Sequence, residues 1–171
     1  MAVTRDQVVT VLLPDEPRYD VAAQLGPEAL PHLMDLVRAD DANLASKAAS
    51  LATRIKDEDS LRVLELASEH PHPVVRIAAA AELYRLGSLG IGDLALRFLQ
   101  DSDPQVRLLA VSSAVRAPAD RQVEERLRIM RRRDPVAEVR DRAADALRRT
   151  NRIDRLRDVI RHGKPPKRES S

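Results

Sequence analysis

Arg54, Arg85, Arg116 and Arg149 each stand ten residues after the start of a recurring phrase. Stacked copies of one structural unit would bring their guanidiniums into a column. Such a column can bind carboxylates or phosphates, because a guanidinium is planar, permanently charged and offers two parallel donors to two oxygens. Seven residues earlier on the same helix face stand Lys47, Ala78, Leu109 and Arg142, so Lys47 and Arg142 join the candidate strip. Cations are also favoured at helix C-termini, by ~0.3–1 kcal/mol each. The same recurrence therefore has a second reading, in which it only complements helix ends.

The phrase that sets this spacing is Val75-Arg76-Ile77-Ala78-Ala79, then Val106-Arg107-Leu108-Leu109-Ala110, then Val139-Arg140-Asp141-Arg142-Ala143. A weaker copy is Leu44-Ala45-Ser46-Lys47-Ala48. The starts, 44, 75, 106 and 139, are 31, 31 and 33 residues apart. Self-similarity at that period marks a helical solenoid, whose units cannot bury their apolar faces alone and must stack. Within the phrase-bearing helices, Val75, Ala79 and Leu83 recur at a spacing of four, as do Val106, Ala110 and Ala114, and Val139, Ala143 and Leu147. That is helical periodicity, and no alternating run suggests a strand.

Each unit reads as helix, turn, helix. Unit 1 (4–26) is partial, with Thr4 and Gln7 as a capping box for a helix over 5–13 and a second helix over 17–25. Unit 2 (27–57) has helices over 28–37 and 42–56, the latter capped by Asp41. Unit 3 (58–87) has 58–69 and 73–86, with Pro73 at the first helical position and Gly87 as the C-terminal cap. Unit 4 (92–117) has 93–100 and 104–116, the latter capped by Asp103. Unit 5 (119–150) has 120–132 and 135–149. A capping helix within 152–162 closes a single domain of 1–163, and 164–171 forms a basic tail expected to be disordered. The fold expected is all-α, a right-handed α-solenoid of about five helix pairs with a terminal capping helix.

The segments Leu99-Gln100-Asp101-Ser102-Asp103-Pro104-Gln105-Val106-Arg107 and Asp134-Pro135-Val136-Ala137-Glu138-Val139-Arg140 resemble HEAT repeats, in the short bacterial form also called phycocyanobilin-lyase-type. The resemblance covers roughly 15–162 and implies the fold, while function sits in surfaces grafted onto such folds. It also implies a structural ladder, in which an Asp and an Arg six residues later tie adjacent repeats. Asp101 with Arg107 and Asp134 with Arg140 match this; His70 replaces the acid opposite Arg76, and Ala39 and Ala45 replace both members in unit 2. A di-iron hydroxylase of this family uses His-Glu pairs, and the chain has no His-Glu dipeptide. DNA glycosylases of similar fold use a basic inner surface with aromatic and carboxylate groups; here Tyr84, Glu82 and Arg85 share a second helix.

Composition removes other classes. The chain has no cysteine, which excludes a disulfide framework, a thiolate zinc site and a thiol nucleophile and fits a reducing compartment. No run approaches a membrane span or a secretory signal, so the cytoplasm is the expected location. Tyr19, Tyr84 and Phe98 are the only aromatics, which limits stacking platforms for bases. Of 29 basic residues only Lys47, Lys56, Lys164 and Lys167 are lysine. From Arg121 onward 17 basic residues face 9 acidic ones, which suggests contact with an acidic surface or polyanion at that end. Interspersed carboxylates also allow a salt-bridged, solvated face.

The Glu69-His70-Pro71-His72-Pro73 turn lacks the further ligands and supporting groups that a zinc site needs. Gly87-Ser88-Leu89-Gly90-Ile91-Gly92 follows a helix and lacks the Lys-Ser/Thr of a phosphate loop. No nucleophile has a base and an orienting group beside it, and no cofactor or metal is implied. The expectation is a non-catalytic module that grips an acidic protein surface through Lys47, Arg54, Arg85, Arg116, Arg142 and Arg149. The alternative is sequence-independent nucleic-acid binding through the same strip and the basic C-terminal third. The apolar Val8-Val9-Val11-Leu12-Leu13 helix suggests a contact with a second copy or another chain, or simply a short buried cap.

Overall fold

Residues 2–87, 91–116 and 120–162 are described in a computed structural model of the chain; the side chains of 151, 153–159, 161 and 162 lie outside that description. The helices are α1 (Arg5–Leu12), α2 (Tyr19–Ala22), α3 (Leu30–Arg38), α4 (Ala42–Ile55), α5 (Asp59–Ser68), α6 (Pro73–Glu82), α7 (Gly92–Phe98), α8 (Pro104–Ala114), α9 (Arg121–Arg133) and α10 (Ala137–His162). Three short 3-10 turns accompany them at Ala23–Leu25, Pro27–Ala29 and Leu83–Leu86. The described residues contain no strand.

Local chemistry starts these helices where it should. Thr4 and Gln7 form the reciprocal capping box of α1. Asp41, Asp103 and Asp120 each accept two backbone N–H bonds at the first turns of α4, α8 and α9. These bonds satisfy donors that a helix start leaves without partners. Helix α4 ends on Lys56 in the left-handed conformation, φ 58°, and the 3-10 turn after α6 ends on Gly87 at φ 62°, where the missing Cβ removes the steric penalty.

The helices form two layers. The first helices stack in chain order, α1 on α3, α3 on α5, α5 on α7 and α7 on α9. The second helices do the same, α2 on α4, α4 on α6, α6 on α8 and α8 on α10. The first layer buries large side chains such as Leu33, Leu36, Leu64, Phe98, Leu127 and Met130. The second layer buries small ones, including Ala45, Ala48, Ala49, Ala52, Ala79, Ala80, Ala110 and Ala143. Small residues let helix axes approach closely.

Two expectations change. Unit 1's second helix, expected over 17–25, is a single α-turn over Tyr19–Ala22 followed by a 3-10 turn over Ala23–Leu25, and it ends at Gly26 as expected. The separate capping helix over 152–162 is instead the continuation of α10: nothing between 137 and 162 is Gly or Pro, so no residue breaks the ladder of backbone bonds. At 26 residues α10 is about 39 Å long by rise per residue, twice the length of α9 with 13. The tail 164–171, residues 88–90 of the Gly87–Gly92 connector and the apolar side chains at 153, 156 and 159 lie outside the described residues. Helix α1 turns Val8 and Leu12 fully inward and half-buries Val9 and Val11, which leaves only Leu13 exposed, at 66%. That helix offers less apolar surface to another chain than its composition suggested.

Candidate functional site

The turn between the two helices of a unit carries one arrangement built twice over. Arg76 donates Nη1 to the carbonyls of His70 at 2.9 Å and Pro71 at 3.1 Å, in its own turn. Its other edge clamps Asp101 of the next unit, Nε to Oδ2 at 2.8 Å and Nη2 to Oδ1 at 3.1 Å. Arg107 repeats this, with Nη1 on the carbonyls of Asp101 and Ser102 at 2.9 and 3.0 Å. Its Nε and Nη2 hold Asp134 at 2.8 and 2.9 Å.

The ladder therefore differs from the expected pairs. Asp101 is not the carboxylate partner of Arg107, nor is Asp134 that of Arg140, six residues on; each carboxylate serves the arginine of the preceding unit. Arg76, expected to face His70 without an acid, has a full two-point carboxylate. The same register explains unit 2. The arginine missing at Ala45 and the acid missing at His70 are the two members of a single absent rung.

The Arg107–Asp134 rung lies deepest, with side chains 8% and 4% exposed. Burial by itself pushes the Asp134 carboxyl up. The bonds from Arg107 and from the Val136 N–H, with the charges of Arg107 and Arg126, outweigh burial and hold it below its ordinary value. The bond to Asp134 likewise raises Arg107.

His70 and His72 take up the turn chemistry of the missing acid. His70 Nδ1 accepts from the His72 N–H at 3.0 Å, and His72 Nδ1 from the Val74 N–H at 3.3 Å. Asp101 and Asp103 make the corresponding bonds in unit 4, at 2.8 and 2.7 Å. The histidine pair is thus a capped turn. Among the described residues no group of three or more His, Asp or Glu could hold a metal ion. A groove of about 540 Å³, lined by Val37, Ala39, Leu66, His70, His72 and Pro73, runs along this junction.

The arginine column is the second feature, and it crosses four units. Arg54 on α4 lies over the ring of Tyr19 on α2, 4.4 Å from its centroid. Arg54 Nη2 is 3.7 Å from Glu82 Oε1 on α6, and Glu82 Oε2 accepts from Arg85 Nε. Tyr84 receives Arg85 at 5.3 Å and Arg116 at 4.7 Å from its ring centroid. Ser113 on α8 donates to the carbonyls of Ala80 at 2.7 Å and Ala81 at 3.1 Å. This is where the α-helix gives way to the 3-10 turn that carries Tyr84 and Arg85, so the neighbouring unit helps aim both side chains. The bond that Arg85 donates to Glu82 raises Arg85, and burial raises the Tyr19 hydroxyl.

Of the six residues expected to meet a partner, the structure joins Arg54, Arg85 and Arg116 through Glu82, Tyr84 and Tyr19. Arg54 and Arg85 share the Glu82 carboxylate, and Arg116 lies over Tyr84 with no ion-pair partner among the described residues, which leaves a positive surplus. Lys47 is a correction: it is 8% exposed, and its Nζ donates to the Pro14 carbonyl at 2.7 Å, so it ties α4 to the loop after α1. Arg142 is exposed but leans on Ser112 Oγ at 3.0 Å and Glu138 at 4.0 Å. Arg149 is exposed on α10 and has no polar partner among the described residues. Tyr19 was missed as a binding-surface element because its contact comes from Arg54 of another unit; Tyr84, noted beside Glu82 and Arg85, gains Arg116 from the next unit.

Paired helices in two layers, joined by an arginine–aspartate ladder, define an α-solenoid of repeated helix pairs. The chain belongs to the HEAT-repeat family: the family model described as HEAT repeats matches residues 61–148. That span contains both filled rungs and stops short of unit 2, where the ladder is absent. A comparison with curated proteins found no match. HEAT repeats are in general protein-interaction and scaffold modules. No helix among the described residues is long and apolar enough to cross a membrane.

Proposed function

We propose that this protein is a non-catalytic scaffold that grips the acidic surface of a partner protein through its second-helix layer. The observation that supports this best is the Tyr19–Arg54–Glu82–Arg85–Tyr84–Arg116 network. Rigid aromatic faces and guanidiniums are the side chains that dominate protein recognition, and here they stand together with surplus positive charge. The small buried residues of the second layer favour a stack curved toward that side, with the column on its concave face. Arg149 extends the column by one unit.

The test replaces Arg85, Arg116 and Arg149 by Ser and recovers partners from the native cell with the full chain as bait. Loss of the wild-type partner, with helicity unchanged, supports the reading. Equal recovery by the variant removes the column from consideration. Affinity for nucleic acid that falls steeply with added salt would point instead to phosphate binding through the same arginines.

A further inference from the structure

The last unit turns a different edge outward from those before it. Three and two positions before the ladder position, units 2, 3 and 4 bury Leu36-Val37, Ala67-Ser68 and Phe98-Leu99. Unit 5 has Arg131 and Arg132 there, both exposed. This is the edge that receives a following unit. Arg97 on α7 reaches back to Ser68 Oγ at 3.3 Å and to Glu69, and Arg126 on α9 donates to the Leu99 carbonyl at 3.4 Å. Arg132 and Arg133 occupy the positions of Leu99 and Gln100. Arg128 pairs with Glu124 and Glu125. Arg131, Arg132 and Arg133 have no ion-pair partner among the described residues, and Ile129 stands beside them 41% exposed.

Arg140 adds geometry to this charge. Its Nη1 donates to the carbonyls of Asp134 at 2.8 Å and Pro135 at 3.2 Å. The same anchoring in Arg76 and Arg107 aims the Nε–Nη2 edge at an aspartate of the next unit. Arg140 is half-buried, and no described residue supplies a carboxylate to that edge.

We infer that the C-terminal edge of the stack docks an acidic polypeptide segment. One carboxylate seats on the Nε–Nη2 edge of Arg140, in the two-point geometry of the filled rungs, and further Asp or Glu side chains meet Arg131, Arg132 and Arg133. Ile129 gives the segment an apolar contact inside the charged rim, which favours polypeptide over a phosphate backbone. A second copy of this chain is a poor fit, because its N-terminal units carry Ala39 and His70 where the acid is needed. This surface lies on α9 and the start of α10, apart from the Arg54–Arg85–Arg116 column.

The test is fluorescence polarisation with the full chain and two labelled probes, an oligo-aspartate and an oligothymidylate of equal charge, at low and at physiological salt. The wild type binds oligo-aspartate more tightly. Arg131→Ser with Arg132→Ser weakens that binding about tenfold. These residues are exposed and have no ion-pair partner among the described residues, so the variant keeps its fold. Arg140→Lys keeps the charge but loses the two-point edge, and weakens binding several-fold with helicity retained. In a background carrying Arg54→Ser, Arg85→Ser and Arg116→Ser, which removes the column, the edge substitutions still weaken binding by the same factor. Wild-type affinity in both edge variants, preference for the oligothymidylate, or no binding to either probe overturns the inference. Loss of binding only in the column variants overturns it as well, while leaving the column reading standing.

Discussion

The junction between units 4 and 5 and the junction between units 2 and 3 bury similar helix faces but are stapled differently. The first has the Arg107–Asp134 rung, almost wholly buried, with every donor of Arg107 that faces the turns engaged. The second has Ala45 and His70 in those places and a groove beside them. There, helix packing and histidine caps hold the turn without a charge pair. The contrast shows that the rung is an addition to the stack and not a condition for it: the apolar layers continue through the gap, with Leu36, Leu51, Val63 and Leu64 fully buried on both sides. A buried ion pair is weak evidence of net stability but a costly thing to halve.

Halving it is the largest expected effect. Arg107→Ala leaves the Asp134 carboxylate buried and unpaired, and should lower unfolding free energy by about 3–5 kcal/mol in urea titrations. Arg76→Ala removes the more exposed rung and should cost less. A loss equal at both positions would break the link between burial and cost.

Acid should act on the same rung. Asp134 titrates below its ordinary value in the folded chain. Its contribution is therefore complete above about pH 4, where the unfolded carboxyl ionises, and is lost as pH falls further through the folded value. Urea titrations from neutral pH downward should show stability falling in that acid range, and less steeply in Asp134→Ala than in the wild type. Equal slopes would mean that other carboxylates carry the acid sensitivity.

The gap can also be filled. Ala45→Arg alone places a cation at a fully buried position and should destabilise. Adding His70→Asp supplies its partner from the next unit, with a favourable coupling of about 0.5–3 kcal/mol between the two changes. Strict additivity would show that the backbone here is not set for a rung. The smallest effect belongs to the column: Arg85→Ser should change stability by no more than about 0.5 kcal/mol, because Arg85 is partly exposed and pairs at the surface. A larger loss would mean that the column is structural.

Much of the fold was legible because its signals are local. Thr4, Asp41 and Asp103 cap helices within three residues of themselves, and the alanine period marks the tightly packed faces. The ladder was legible only as residue types. Its partners lie 25 and 27 residues apart, and the spacing of six, which reads as an Asp–Arg pair, records the arginine's bond to backbone carbonyls. Lys47 read as a surface cation because its acceptor, the Pro14 carbonyl, lies 33 residues away. The column was readable as four arginines at equal phase. That Tyr19 completes it, and that Arg116 joins Arg85 over Tyr84, was not, since an aromatic's role depends on which unit's cation arrives over its ring.

A double-mutant cycle at Arg107 and Asp134, using Arg107→Ala, Asp134→Ala and the pair, tests most directly that carboxylate clamps between units join this half of the stack. The double variant should be far less destabilised than the sum of the two singles, because each single strands a buried charge that the double removes. Additive losses would contradict the account.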